Sequence, residues 1–175
     1  MVSDFRKIGG LLCLLFFSQQ VYSQKLDKEF RAFYKGFQRN VAADSINALK
    51  NTMYFPFQTI YWIDGMNALT DEEKADGMID EEDIDVLSKR IFNEEVRRVV
   101  PAMEVERVQQ IDVEGSGDYY KRLAKVVDKG STLLELYCQV VAADTLGDEY
   151  FAFIFGKVNN EYRILSYYTT GRIKN

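Results

Sequence analysis

Apolar positions recur at helical spacing over residues 26–41. Leu26, Phe30, Phe33, Tyr34, Phe37 and Val41 mark one face, while Lys28, Arg31, Lys35 and Gln38 fill the other. This pattern predicts a first amphipathic helix. A shorter helix follows, with Asp44 as N-cap and Ile46, Leu49 and Met53 on one side. Tyr54-Phe55-Pro56-Phe57 then changes to strand chemistry. Proline cannot donate to a ladder, so this strand starts at an edge or continues past Pro56, with Gln58 to Ile63 extending it. Asp64-Gly65 turns the chain into an acidic segment. Asp80 or a neighbour caps a third helix over 81–99, striped by Ile84, Leu87, Ile91, Val96 and Val99, interrupted by Asn93 and closed by Pro101.

Beyond Pro101 the period shortens towards two. Val105–Val113, Tyr119–Val127, Thr132–Ala142, Tyr150–Val158 and Tyr162–Thr169 read as strands. Gly115-Ser116-Gly117, Asp128-Lys129-Gly130 and Asn159-Asn160 supply the turns, and Asp144–Asp148 a longer loop. Leu134, Leu136, Cys138, Val140 and Ala142 share one strand face, and Glu135 and Gln139 lie on the other. One sheet face is therefore buried and the other partly solvated. Helices first and strands later predict an α+β domain, with N-terminal helices packed on one face of a curved antiparallel sheet.

Residues 1–23 follow a different logic. Arg6 and Lys7 precede an apolar run from Ile8 to Phe17, then polar Ser18-Gln19-Gln20, then Val21-Tyr22-Ser23 ending on a small residue. That is the layout of a cleaved secretory signal peptide. The run is about half the 20 residues a membrane-spanning helix needs. Cys13 sits mid-run behind Leu11 and Leu12, without the small residues that lipid attachment requires. The expectation is an exported protein, periplasmic or extracellular, with 24–175 forming a single domain large enough for its own core.

Charge and chemistry narrow the function classes. The chain has 22 basic and 27 acidic residues, a net charge of −5 and no histidine. Nine acids crowd Asp71 to Asp85 against Lys74 alone. No clustered basic surface is available for phosphates, so nucleic acid is not an expected partner. Cys138 is the one cysteine beyond residue 23, which leaves no internal disulfide. Without histidine, a Ser-His-Asp triad, a Cys-His pair and His-ligated zinc are excluded. Any acid–base chemistry falls to carboxylate, tyrosine, lysine or cysteine. No cofactor is expected.

Phe30-x-x-Phe33-Tyr34-x-x-Phe37, the short second helix from Asp44 to Thr52, and Phe55-Pro56-Phe57 resemble the opening of small exported bacterial domains with the nuclear-transport-factor-2-like, cystatin-like cone fold. The closing strands, from Phe153-Ile154-Phe155-Gly156 to Tyr162-Arg163-Ile164-Leu165, resemble theirs too. The resemblance covers nearly all of 25–170. It implies a curved sheet with an open concave end. It brings no catalytic motif, because this fold hosts ketosteroid isomerases, dehydratases, polyketide cyclases and pure binding modules.

Two candidate sites follow. Tyrosine is abundant at 11 residues, and aromatic walls with a few polar tips suit a small apolar ligand in a cone. Tyr61, Trp62 and Asp64, together at the end of the first strand, are the candidate ligand-binding residues. In the acidic segment, Gly77, Ile79 and Asp80 fall where an EF-hand loop has its turn glycine, apolar residue and ninth position, making Glu72, Asp76, Asp80 and Asp83 candidate metal ligands. Lys74 occupies a ligand position there, and Asp83 replaces the long bidentate glutamate. The competing reading is an exposed acidic loop feeding a capped helix. The sequence therefore points to an exported, non-catalytic binding or interaction module. A small apolar ligand or an envelope protein is its expected partner, and a homodimer is also open. The alternatives are a lyase or isomerase using carboxylate and tyrosine, as Asp64 with Tyr61 would allow, and a calcium-dependent interaction protein. An inert buried thiol is the expectation for Cys138.

Overall fold

A computed structural model describes residues 26–62, 69–140 and 149–170. The proposed signal peptide, Asp64 and the loop Asp144–Asp148 lie outside these residues. The first helix, α1 (Lys28–Ala42), buries Phe30, Tyr34, Phe37 and Val41, the stripe that its spacing predicts. Asp27 starts it by accepting the Phe30 N–H at 2.7 Å, and its other oxygen takes the Tyr162 hydroxyl at 2.7 Å. The second, α2 (Ile46–Lys50), is shorter than expected. Asp44 is not its cap: it holds a left-handed φ of 50°, and Ser45 takes the N-cap position. Met53 opens strand β1 (Met53–Gln58) instead of completing α2.

Thr70 and Glu73 form a reciprocal capping box for α3 (Asp71–Asp76), and β2 (Met78–Ile79) follows. The long helix expected over 81–99 is two helices, α4 (Ile84–Ile91) and α5 (Glu94–Val99). They divide at Asn93, whose side chain accepts the Val96 N–H at 2.9 Å and so restarts the helix. A 3-10 turn at Val105–Arg107 and a two-residue β3 (Gln109–Gln110) replace the strand expected at 105–113.

The largest departure is α6 (Asp118–Ala124), a helix where a strand is expected. Tyr119, Tyr120 and Leu123 are its buried residues, at one-and-four spacing, and Lys121-Arg122-Leu123-Ala124 are good helix formers. The tyrosines' strand preference is overridden by packing against the sheet. The Asp128–Gly130 turn therefore leads from a helix into β4 (Leu134–Val140), not across a hairpin. Strands β5 (Glu149–Val158) and β6 (Glu161–Thr169) pair across Asn159-Asn160, both left-handed. Asp128 accepts both asparagine N–H groups, at 2.9 and 2.7 Å, and pins this hairpin.

Among the described residues one six-stranded sheet runs β2-β1-β6-β5-β4-β3, antiparallel except for β1 against β6. Pairing with β2 begins only at Phe57, so Pro56 sits where β1 is still the sheet edge. Register shifts in β1·β6 and β5·β6 bend the sheet. The architecture is α+β, with helices on a curved, mostly antiparallel, cone-like sheet. No described helix is long and apolar enough to cross a membrane.

The two sheet faces have different interiors. On one, Phe30, Tyr34 and Phe37 of α1 and Phe92 meet Leu136, Phe153, Phe155 and Tyr167, all fully buried. Phe37 contacts Phe153 and Phe155 edge-on at 5.2 and 5.4 Å, and Phe92 stacks on Phe153 at 5.9 Å. Among the described residues the α1 side of the sheet is filled with rings. On the other face Trp62, Tyr119, Tyr120, Leu123, Ile154, Leu165 and Tyr168 form a second cluster under α6.

Gly77 ties the acidic segment to this second cluster. Its carbonyl accepts the Thr59 N–H and hydroxyl at 2.8 and 2.9 Å. A Cβ there would lie 2.6 Å from Ile60 Cγ1 and 2.8 Å from Ile60 Cβ. Gly77→Ala should therefore destabilise the fold by about 1–3 kcal/mol through overpacking. It should also shift the resonances of Tyr61 and Trp62, which follow Ile60. Unchanged stability in urea would show that the loop yields freely.

Candidate functional site

The second cluster carries the chemistry. Alternation along β4 places Glu135, Tyr137 and Gln139 on the face away from α1, opposite Ile154, Ala152 and Tyr150 of β5. Across β5, Ser166 and Tyr168 of β6 continue the same rows. Helix α6 then lays Tyr119 and Tyr120 onto this face. Glu135, half-buried, accepts the hydroxyls of Tyr120 and Tyr168 on the same oxygen, Oε1, each at 2.7 Å. Its Oε2 has no hydrogen-bond donor among the described residues.

Rings extend from this carboxylate in a continuous row. Tyr61 stacks on Tyr168 at 4.8 Å and meets Tyr119 and Tyr120 edge-on at 4.9 and 5.9 Å. Tyr150 meets Tyr168 edge-on at 6.2 Å, and Tyr137 stacks on Tyr150 at 5.6 Å. Tyr137 is 44% exposed, unusual for so large a ring, whereas Tyr168 is buried. The row therefore runs from the interior to solvent. Deeper in, Tyr119 Oη lies 2.5 Å from Ser166 Oγ, which donates to the Gln58 carbonyl at 2.7 Å, so the tyrosine is the donor in that pair.

Burial, and after it the charge of Glu135, raises the Tyr168 phenol far above its ordinary value. Burial does the same for Tyr120, reinforced by its bond to Glu135, and for Tyr119. Tyr61 moves upward through burial and then the Glu135 charge. These phenols stay protonated across the neutral range. They are hydrogen-bond donors, not bases. The arrangement presents hydrogen-bond donors and ring faces around one carboxylate. Cys138 lies on the opposite face, in the helix-side core, where burial pushes its thiol up to about 11 and keeps it inert.

Of the residues singled out by sequence, Tyr61 and Trp62 come together here, while Asp64 is outside the described residues. Trp62 packs edge-on against Tyr119 at 5.1 Å and is only 3% exposed, so it supports the cluster more than it lines a surface. Among the described residues its Nε1–H and the Oε1 of Gln58 are buried without a hydrogen-bond partner, a rare condition for native polar atoms. Glu135 and Tyr168 were not singled out, because a glutamate on a half-solvated strand face reads as ordinary surface. The spacing of Tyr119, Tyr120 and Leu123 was the available signal for α6.

The carboxylates proposed for calcium are distributed differently. Glu72 and Asp76 lie on helix α3, Asp80 follows β2, and Asp83 stands at the start of α4. Gly77 has φ −85° and packs closely against Ile60. Lys74 leans over the Trp62 ring, 5.5 Å from its centroid. Among the described residues no three of Asp, Glu, Cys or His are placed to hold a metal ion.

Hollows of about 480 Å³, lined by Gln110 to Glu114 with Ser131 and Thr132, and about 330 Å³, between Phe33, Thr52 and Tyr162, lie at the edges of the second and first clusters respectively. Neither is lined by Phe37, Phe153 or Phe155.

No model of a known protein family matches this chain, and no curated protein sequence matches it. A solved structure that resembles it is the beta subunit of benzoate 1,2-dioxygenase from Burkholderia mallei. That likeness has 12% identity and a TM-score of 0.37, and it spans 83% of this chain and 91% of that one. A likeness this slight carries no argument about function.

Proposed function

We propose that the protein is an exported, non-catalytic module that binds a small molecule on the tyrosine face of its sheet. The reading rests on one observation: a half-buried carboxylate, Glu135, held by two tyrosines and continued to solvent by stacked rings. The ligand site is proposed around Tyr61, Tyr137 and Tyr150, with Trp62 beneath it, and not within the ring-filled helix side. Export follows from the layout of residues 1–23. Rigid aromatic rings supply apolar contact area at low entropic cost, and the polar centre fixes orientation.

Ligand-detected NMR with a panel of small neutral aromatic and ammonium fragments tests this. Fragments should bind the wild type and lose at least about fivefold in affinity in Tyr137→Ala and Tyr61→Ala, consistent with loss of one ring contact. A panel without binders, or binders indifferent to both substitutions, would overturn the reading.

A further inference from the structure

We infer that the ligand is a small organic cation whose ammonium group pairs with Glu135. The inference rests on the binding-site reading above and adds the chemical class. A half-buried carboxylate such as Glu135 still gains from a cation beside it as well as from its hydrogen bonds. Glu135 has the hydrogen bonds but not the cation: no Lys or Arg nitrogen of a described residue lies within 4.0 Å of its carboxylate. Both phenols bond to Oε1, leaving Oε2 without a donor among the described residues. The neighbouring surfaces are rings, from Tyr61, Tyr120, Tyr168 and, two residues along β4, Tyr137.

Ring faces carry negative partial charge and attract cations. Carboxylate and rings thus favour the same sign of ligand from several directions. An anionic ligand would meet Glu135 unfavourably. A neutral ligand would leave its charge unanswered. A small metal ion prefers a cage of anionic and carbonyl oxygens, and this surface offers a single carboxylate among protonated phenols. An alkylammonium ion suits it best, because its low charge density is shed from water easily and its methyl or methylene groups pack on the rings.

Choline and its neutral isostere 3,3-dimethyl-1-butanol are the probes, titrated by calorimetry at matched ionic strength into the wild type, Glu135→Gln and Tyr137→Leu. Glutamine keeps an acceptor for both tyrosines, so the fold should be retained. Choline should bind the wild type at least about tenfold more tightly than the isostere. That preference should shrink to about twofold or less in Glu135→Gln. Tyr137→Leu leaves the Glu135 hydrogen bonds untouched, and should weaken choline about fivefold whether or not Glu135→Gln folds. Equal binding of the two probes to the wild type, or a preference that survives Glu135→Gln, would overturn the inference. So would the absence of choline binding. In each of these cases the fragment panel decides separately whether the tyrosine face is a binding site at all.

Discussion

Phe153→Ala should destabilise the protein by about 3–5 kcal/mol, a large part of the stability of an ordinary domain. Phe153 lies at the middle of β5, fully buried. It touches Phe37 of α1, stacks on Phe92 beyond α4, and meets Tyr167 of the neighbouring strand at 4.9 Å. It therefore joins helix, helix end and sheet at a single point. Removing the ring loses its transfer free energy and leaves a void lined by other rings, which are too rigid to collapse into it. Equilibrium urea denaturation measures the loss. A cost below about 1.5 kcal/mol, the range of well-tolerated core swaps, would mean that the helix side is loosely packed and capable of holding a guest.

Stability should hold up to about pH 9 and fall steeply above pH 10. Burial raises the Tyr167 phenol from 10.0 to about 12, and Tyr34, Tyr119, Tyr120, Tyr162 and Tyr168 are displaced in the same direction, each chiefly by burial. Below pH 10 the folded and unfolded chains both keep these phenols protonated, so their contribution is complete. As the pH rises past 10 the unfolded chain releases its phenolic protons first, and the folded state loses stability until its own phenols ionise. Two units at Tyr167 alone correspond to about 3 kcal/mol. Cys138, raised from 9.0 to about 11 by burial, begins the same decline about one unit earlier. Tyrosinate absorbance should therefore grow together with loss of circular dichroism, in one cooperative step. Gradual ionisation centred near pH 10 in a chain that stays folded would contradict the burial of these rings.

Much of the fold was legible because two patterns were strong. The Phe30-Tyr34-Phe37-Val41 stripe and the alternation in 134–140 each serve one buried face, whereas 151–156 and 164–168 are mostly apolar runs buried on both faces. The segment 118–124 reads as a strand because its paired tyrosines favour strands locally, while their burial against the sheet in a helix is a tertiary effect. The same local ambiguity conceals the site. Tyr120 reaches Glu135 only if its segment is a helix lying across the sheet. Tyr61 and Trp62 were found because they follow the end of a strand, yet their role as neighbours of a carboxylate depends on β4 and β6, some 75 to 105 residues further on. The acidic segment carries two readings in its sequence. Its spacing approximates a calcium loop, but Thr70 and Glu73 form a capping box that commits its first half to a helix.

The central claim is that the tyrosine face, and not the helix-covered interior, is where a ligand is held. Aromatic-ring NMR shifts followed during a choline titration test it most directly. The account predicts shifts of Tyr61, Tyr137, Tyr150 and Tyr168, with Phe30, Phe37, Phe153 and Phe155 unmoved. Shifts concentrated in those phenylalanines, with the tyrosine rings silent, would contradict it.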